Sequence, residues 1–191
     1  SCIYNISGNT IATGGTMNFN PGMTLTNIGN LTPSGGAIVL PVGLTVGGYG
    51  PVVRFSGGGS LSLNTGTTFN FQKVAMFGGN LLGSDSLHIS DSLTLSTGFI
   101  SGGGAIKLNP GCYMTVFNNS PTIDKTLINN GTINWTLASL FGTGTLYNNS
   151  VMNMTVSAFS WFMPIVNTGT INKSSNTVAQ FSANFTNLSS G

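Results

Sequence analysis

Written from Gly15, Gly36, Gly59, Asp85 and Gly104, the chain falls into aligned segments: G-TMNFNPGMTLT, G-AIVLPVGLTVG, G-SLSLNTGTTFN, D-SLHISDSLTLS and G-AIKLNPGCYMT. A second Gly follows four of these anchors, at Gly22, Gly43, Gly66 and Gly111. The anchors are unevenly spaced, with the longest step between Gly59 and Asp85. Positions +2, +4, +8 and +10 hold Met17, Phe19, Met23 and Leu25, then Ile38, Leu40, Leu44 and Val46. Leu61, Leu63, Thr67 and Phe69 follow, then Leu87, Ile89, Leu93 and Leu95, and last Ile106, Leu108, Cys112 and Met114. Nineteen of these twenty are apolar with Cys counted, where a composition 40% apolar would place about eight. Alternation at +2/+4 and +8/+10 is the mark of two half-buried strands of period two. Asn-Pro-Gly, Pro-Val-Gly or Asn-Thr-Gly between them supplies a corner.

The later chain keeps the pattern more loosely. Gly131 opens GTINW, Gly144 opens GTLYNNSVMNM and Gly169 opens GTINK. From Gly144, Leu146, Met152 and Met154 fall at +2, +8 and +10, while Asn148 breaks the pattern at +4. Gly131 and Gly144 lie too close together to open separate coils, so one of them begins a second face of the same coil. Leu127–Ile133 and Ile165–Ile171 are close copies, which makes the C-terminal part a variant of the same repeat.

A supersecondary unit that recurs about every 22 residues, unable to bury its apolar face alone, stacks on its neighbours into one continuous core. The expected fold is all-β: a parallel β-helix, or β-solenoid, of about seven or eight coils. A β-sandwich is the alternative, since short strands and Gly-rich turns also suit it. The chain reads as one solenoid domain, 1–191. Within it, 1–14 is an N-terminal cap or linking segment, 15–116 the regular coils and 117–191 the variant, sequon-rich coils.

Composition then narrows function. Only 8 of 191 residues are charged, five basic and three acidic, and Glu is absent. Five scattered cations cannot follow a phosphate backbone, so no nucleic acid is expected as a partner. Disorder needs low hydrophobicity and high charge, the reverse of this chain. The longest apolar stretch, Ala37–Val46, is too short for a transmembrane segment and is interrupted by Pro41, Gly43 and Thr45. A surface so poor in charge is unlike that of a cytosolic enzyme and favours an extracellular or cell-surface address. The start Ser1-Cys2-Ile3, without Met or a signal-like h-region, reads as a mature product or an excised span.

The phrases LINNGTINW, GTGTLYNNS and IVNTGTINK, with the run LTLSTGFISGGGAIKLNPG, resemble the repeats of secreted adhesin-like β-solenoid proteins. That resemblance covers most of the chain from about Gly15. It implies a scaffold used in adhesins, fibres and surface layers, and it supplies no catalytic residues.

Carbohydrate hydrolysis usually takes a pair of carboxylates, and the acids are Asp85, Asp91 and Asp124 alone. Asp85 and Asp91 flank His88, whose odd position points it outward, and the cluster reads as a solvated strand edge that is a poor metal site. Asp124 and Lys125 read as a surface pair; Arg54, Lys73, Lys107 and Lys173 read as solvated or edge-blocking residues. The runs Gly57–Gly59 and Gly102–Gly104 have no following helix and no suitably placed Lys, so they are coil corners and not phosphate cradles. No enzyme, catalytic residue, cofactor or metal is expected.

Two outward features remain. N-x-S/T acceptors occur at Asn5, Asn30, Asn118, Asn130, Asn134, Asn148, Asn153, Asn172, Asn184 and Asn187, about twice the number expected from 23 Asn and 46 Ser plus Thr. Covalent N-glycans there would keep an almost uncharged chain soluble. Thr24, Thr45, Thr68 and Thr94 all fall at +9, with Thr26, Asn70, Ser96 and Thr115 at +11, which stacked coils would align as one column. Cys112 is expected as a buried thiol too far from Cys2 for a bridge, leaving Cys2 to pair with another chain. The leading expectation is an extracellular structural protein: a glycosylated subunit of a surface fibre or filament, or a segment of a larger adhesin. Its partners would be copies of itself, end to end or side by side. The alternative is an ice- or polysaccharide-binding module that uses the Thr column, with surface polysaccharide as ligand.

Overall fold

The structure, a computed structural model, describes residues 2–117, 119–136, 139–155, 159–174 and 179–188. Its described residues form strands, turns and bends and no helix. Every strand pairing is parallel, with partners roughly one coil apart, as in Ile38↔Leu61 and Leu127↔Leu146. The chain therefore winds as a parallel β-solenoid of about nine turns.

Each coil contributes to three ladders. The first face carries Thr16–Asn18, Ala37–Leu40 and Ser60–Leu63, then Leu81, Ile100, Thr122–Ile123, Phe159–Trp161 and Ala179–Phe181. The second runs from Ile3 and Tyr4 on Thr24 and Leu25 to Ile165–Asn167 under Phe185–Asn187. The third begins with Asn9–Ala12 under Asn30–Pro33 and ends with Val151–Met154 under Thr170–Lys173. The strand Ser86–Ile100 circles all three. Leu87 sits between Phe69 and Ile106, Leu93 between Val74 and Met114, and Ile100 between Leu81 and Ile123.

Three features depart from the sequence reading. Coils have three faces instead of two strands and a corner. Their number is higher because later coils shorten: Leu127, Leu146 and Ile165 stack at closer sequence intervals than Ile38 and Leu61. The anchor alignment also slips by one face between Gly59 and Asp85: Leu61 stacks on Leu81, and Leu87 stacks on Phe69. Inward parity survives the slip, because alternation carries through the bends of a continuous strand. Sixteen of the twenty assigned core positions are buried, Met17, Met23 and Val46 are half-buried, and Thr67 is exposed. Residues 1–14, set apart as a cap or linking segment, include the strand Ile3–Ala12, which already forms coil ladders.

Corners need close backbone approach. At Gly102 (φ +102°) a Cβ would lie 2.2 Å from the carbonyl oxygen of Gly83, one coil below and itself at φ +108°. Only Gly fits such a stacked corner without displacing backbone. Above it the core closes around large rings, with Trp135 and Trp161 both buried and their centroids 4.2 Å apart.

Candidate functional site

The most organised polar feature lies inside. On the second face, two positions beyond the inward Leu127, Leu146, Ile165 and Phe185, stand Asn129, Asn148, Asn167 and Asn187. Asn129 Nδ2 donates to Asn148 Oδ1 at 2.7 Å, Asn148 Nδ2 to Asn167 Oδ1 at 2.6 Å, and Asn167 Nδ2 to Asn187 Oδ1 at 2.7 Å. Asn129 Nδ2 also reaches the Val151 carbonyl at 3.1 Å, and Asn129 Oδ1 accepts from the Gly131 amide at 3.1 Å. Asn129 and Asn148 are fully buried and Asn167 is 6% exposed. Burying an amide is tolerable when its donors and acceptors are matched, and stacked parallel coils match each amide to its copy above and below. The recurrence of Asn in the close copies is the visible signal of this row. Alternation alone presents it as a break in the pattern, not as part of the core.

Asn148 therefore leaves the set of glycan acceptors. N-glycosylation uses Nδ2, and here that nitrogen is buried and donates along the row, so a bulky sugar is incompatible with this fold.

Outward asparagines also stack. Asn134, Asn153 and Asn172 share a register on the third face, Asn153 Nδ2 donating to Asn134 Oδ1 and Asn172 Nδ2 to Asn153 Oδ1, both at 3.0 Å. Asn149 Nδ2 donates to Asn130 Oδ1 at 3.1 Å, and Asn30 Nδ2 to Asn9 Oδ1 at 3.2 Å. Asn30, Asn130, Asn134 and Asn153 are half-buried, whereas Asn5, Asn172, Asn184 and Asn187 are exposed. Asn118 lies outside the described residues. Much of the sequon excess thus has a structural origin: Asn fills ladder positions, and Ser or Thr fills outward strand positions nearby.

The Thr column does not form. Thr24 pairs with Thr45, but Thr68 pairs with Ser86, and Thr94 lies on the third face between Ala75 and Thr115. The slip between Gly59 and Asp85 separates them.

Lys125, expected at the surface, is 1% exposed. Its Nζ donates to the carbonyls of Gly83 at 2.6 Å and Asp85 at 3.1 Å, and to that of Gly103. The ammonium so bridges two coils beneath its own. Burial lowers its pKa from the ordinary lysine value, and the Asp85 charge opposes that shift. Asp85, 3% exposed, is no solvated edge either: its carboxylate accepts from the Thr65 amide at 2.7 Å, the Thr65 hydroxyl at 2.8 Å and the Gly66 amide at 2.8 Å. Asp124 repeats the device one corner away, accepting from the Thr143 amide at 2.8 Å.

The remaining polar groups are dispersed. His88 is half-buried in the outward row between Asn70 and Lys107, Asp91 pairs with Lys73 at 3.3 Å, and Arg54 lies 5.3 Å over the Phe77 ring. Among the described residues no cluster of three or more His, Cys, Asp or Glu could hold a metal. Cys2 is exposed; Cys112 is fully buried, and burial, followed by the charge of Asp91, pushes its thiol up to about 11.

A scan against protein-family models and searches of curated proteins and of solved structures find no match to this chain. The class defined here is thus the β-solenoid, fixed by its ladders. The likeness to adhesin-like proteins rests on the repeat phrases alone.

Proposed function

We propose that this chain is an extracellular structural protein, a rigid rod that serves as a subunit of a surface fibre or as a segment of a larger adhesin. The observation that carries the reading is the inner amide row, Asn129–Asn148–Asn167–Asn187, bonded coil to coil inside a continuous apolar core. Such a row resists sliding and bending between coils, a property of use to a load-bearing column. The buried charges serve the same end, since Lys125 and Asp85 tie neighbouring coils together. N-glycans at the exposed sequons Asn5, Asn172 and Asn184 would form its coat. Adjacent outward positions lie only about 4.8 Å apart along a ladder, so Asn134, Asn153 and Asn172 cannot all carry bulky glycans. Division of the Thr column between faces removes the geometric basis for ice binding through it.

Glycopeptide mass spectrometry on protein recovered from its native source tests this reading. Recovery in the extracellular or cell-surface fraction, with occupancy at Asn5, Asn172 or Asn184 and none at Asn148, is the expected result. Recovery only from the soluble cell interior, without glycans, would refute it.

A further inference from the structure

Each end of the described column presents three strands with no described strand beyond them. At the N-terminal end these are the starting segments Ile3 and Tyr4, Asn9–Ala12 and Thr16–Asn18; each pairs only with the coil above. At the C-terminal end they are Thr170–Lys173, Ala179–Phe181 and Phe185–Asn187, each paired only with the coil below. Proteins usually block such edges with charge. Here residues 1–53 contain no charged side chain, and Lys173 is the only one after Lys125. Core residues at both ends are incompletely covered: Tyr4 and Met17 at one, Ile171 and Phe181 at the other, where Phe185 is 44% exposed. The C-terminal end also holds a cavity of about 400 Å³ lined by Asn167, Gly169, Ile171, Phe181, Phe185 and their neighbours.

We infer that a second copy of this chain stacks head to tail on that end, turned by one face. The inference rests on the rod reading and names its partner. Winding order decides the rotation. Ile3–Tyr4 and Phe185–Asn187 belong to the same, second face. Stacking that face on itself leaves a one-strand gap on each of the other two. Turned by one face, Tyr4 lands on Ile171, Thr10 on Phe181 and Met17 on Phe185. All three edges then pair, Tyr4 and Met17 cover the open core, and the coil continues without a missing strand. Three faces per coil make the turn about 120°. About nine coils and one further strand, spaced about 4.8 Å per coil, give a rise of about 45 Å per copy. A contact joining different surfaces at each end propagates into an open filament.

Cross-linking tests the seam. In a Cys2→Ser background, Ile3→Cys with Thr170→Cys puts two thiols opposite each other only if the copies are turned by one face. Ile3→Cys with Asn184→Cys opposes them only in unrotated stacking. Adjacent strands lie within the Cα separation a disulfide accepts. Mild oxidation should convert the first pair to a ladder of multimers with loss of the monomer band, and leave the second pair monomeric. Multimers from the second pair alone, or equally from both, would overturn the rotated seam. Monomers from both, with a single monomeric species by sedimentation across concentrations, would overturn self-stacking altogether. The rod reading would survive that last result, because it is judged on native surface material.

Discussion

Replacing Asn148 by Ala should be among the most damaging single changes to this protein, and replacing Asn172 by Ala among the mildest. Both are asparagines of the same repeat, each stacked on an asparagine of the neighbouring coil, but they stand on opposite sides of the sheet. Asn148→Ala removes bonds of 2.7 and 2.6 Å to both neighbours in a dry row and leaves Asn167 Oδ1 without its donor. At about 1 kcal/mol for each net bond and about 1–3 kcal/mol for one orphaned buried acceptor, the loss is about 3–5 kcal/mol. Asn129 Nδ2 retains the Val151 carbonyl and adds little to that sum. Asn172→Ala removes one bond in an exposed row, where water replaces it, at a cost below about 1 kcal/mol. Urea titration read by circular dichroism measures the difference. Hydrogen exchange at Asn129, Asn148 and Asn167 locates it, which matters because repeat arrays need not unfold in one step. Equal losses for the two variants would refute the claim that the inner row holds the coils together.

Gly102→Ala should cost about 3 kcal/mol or more, since its Cβ would press on the Gly83 carbonyl at a positive φ, whereas Gly14→Ala, with open space around it, should be neutral or slightly stabilising in the same titration. Lys125→Met keeps the length of the side chain but strands three carbonyls, and a loss of about 2–3 kcal/mol is expected in chemical denaturation at pH 7. Cys2 should react with a maleimide in the folded protein while Cys112 stays unlabelled until the chain unfolds. The Cys112 thiol holds its proton to about 11 when folded but releases it near the ordinary thiol value when unfolded. The unfolded chain therefore binds fewer protons in between, so stability falls as pH rises through that window, and Cys112→Ala should flatten the fall.

Alternation makes the core legible, because period two is set by the strand itself and holds whichever face a residue occupies. Leu87, Ile89, Leu93 and Leu95 read as inward and are buried, although the repeat alignment puts them on the wrong face. Registration between coils is not legible across the long step from Gly59 to Asp85, where Phe71, Val74 and Met76 supply an additional inward series. The Thr column fails for that reason. Polar residues at inward positions are hidden for another: alternation scores Asn148 and Lys125 as outward, and only stacking shows that a neighbour's amide or carbonyl satisfies them. Asp85 shares that fate, its partners Thr65 and Gly66 lying far back in sequence and one coil away in space.

Cryo-electron microscopy of the native surface material tests most directly whether this column of coils works as a structural rod. The account predicts filaments in which the coils stack along the axis with a repeat of about 4.8 Å, carrying side density at exposed sequons such as Asn5 and Asn172 and none at Asn148. Discrete particles with no axial coil repeat in the native material would contradict it.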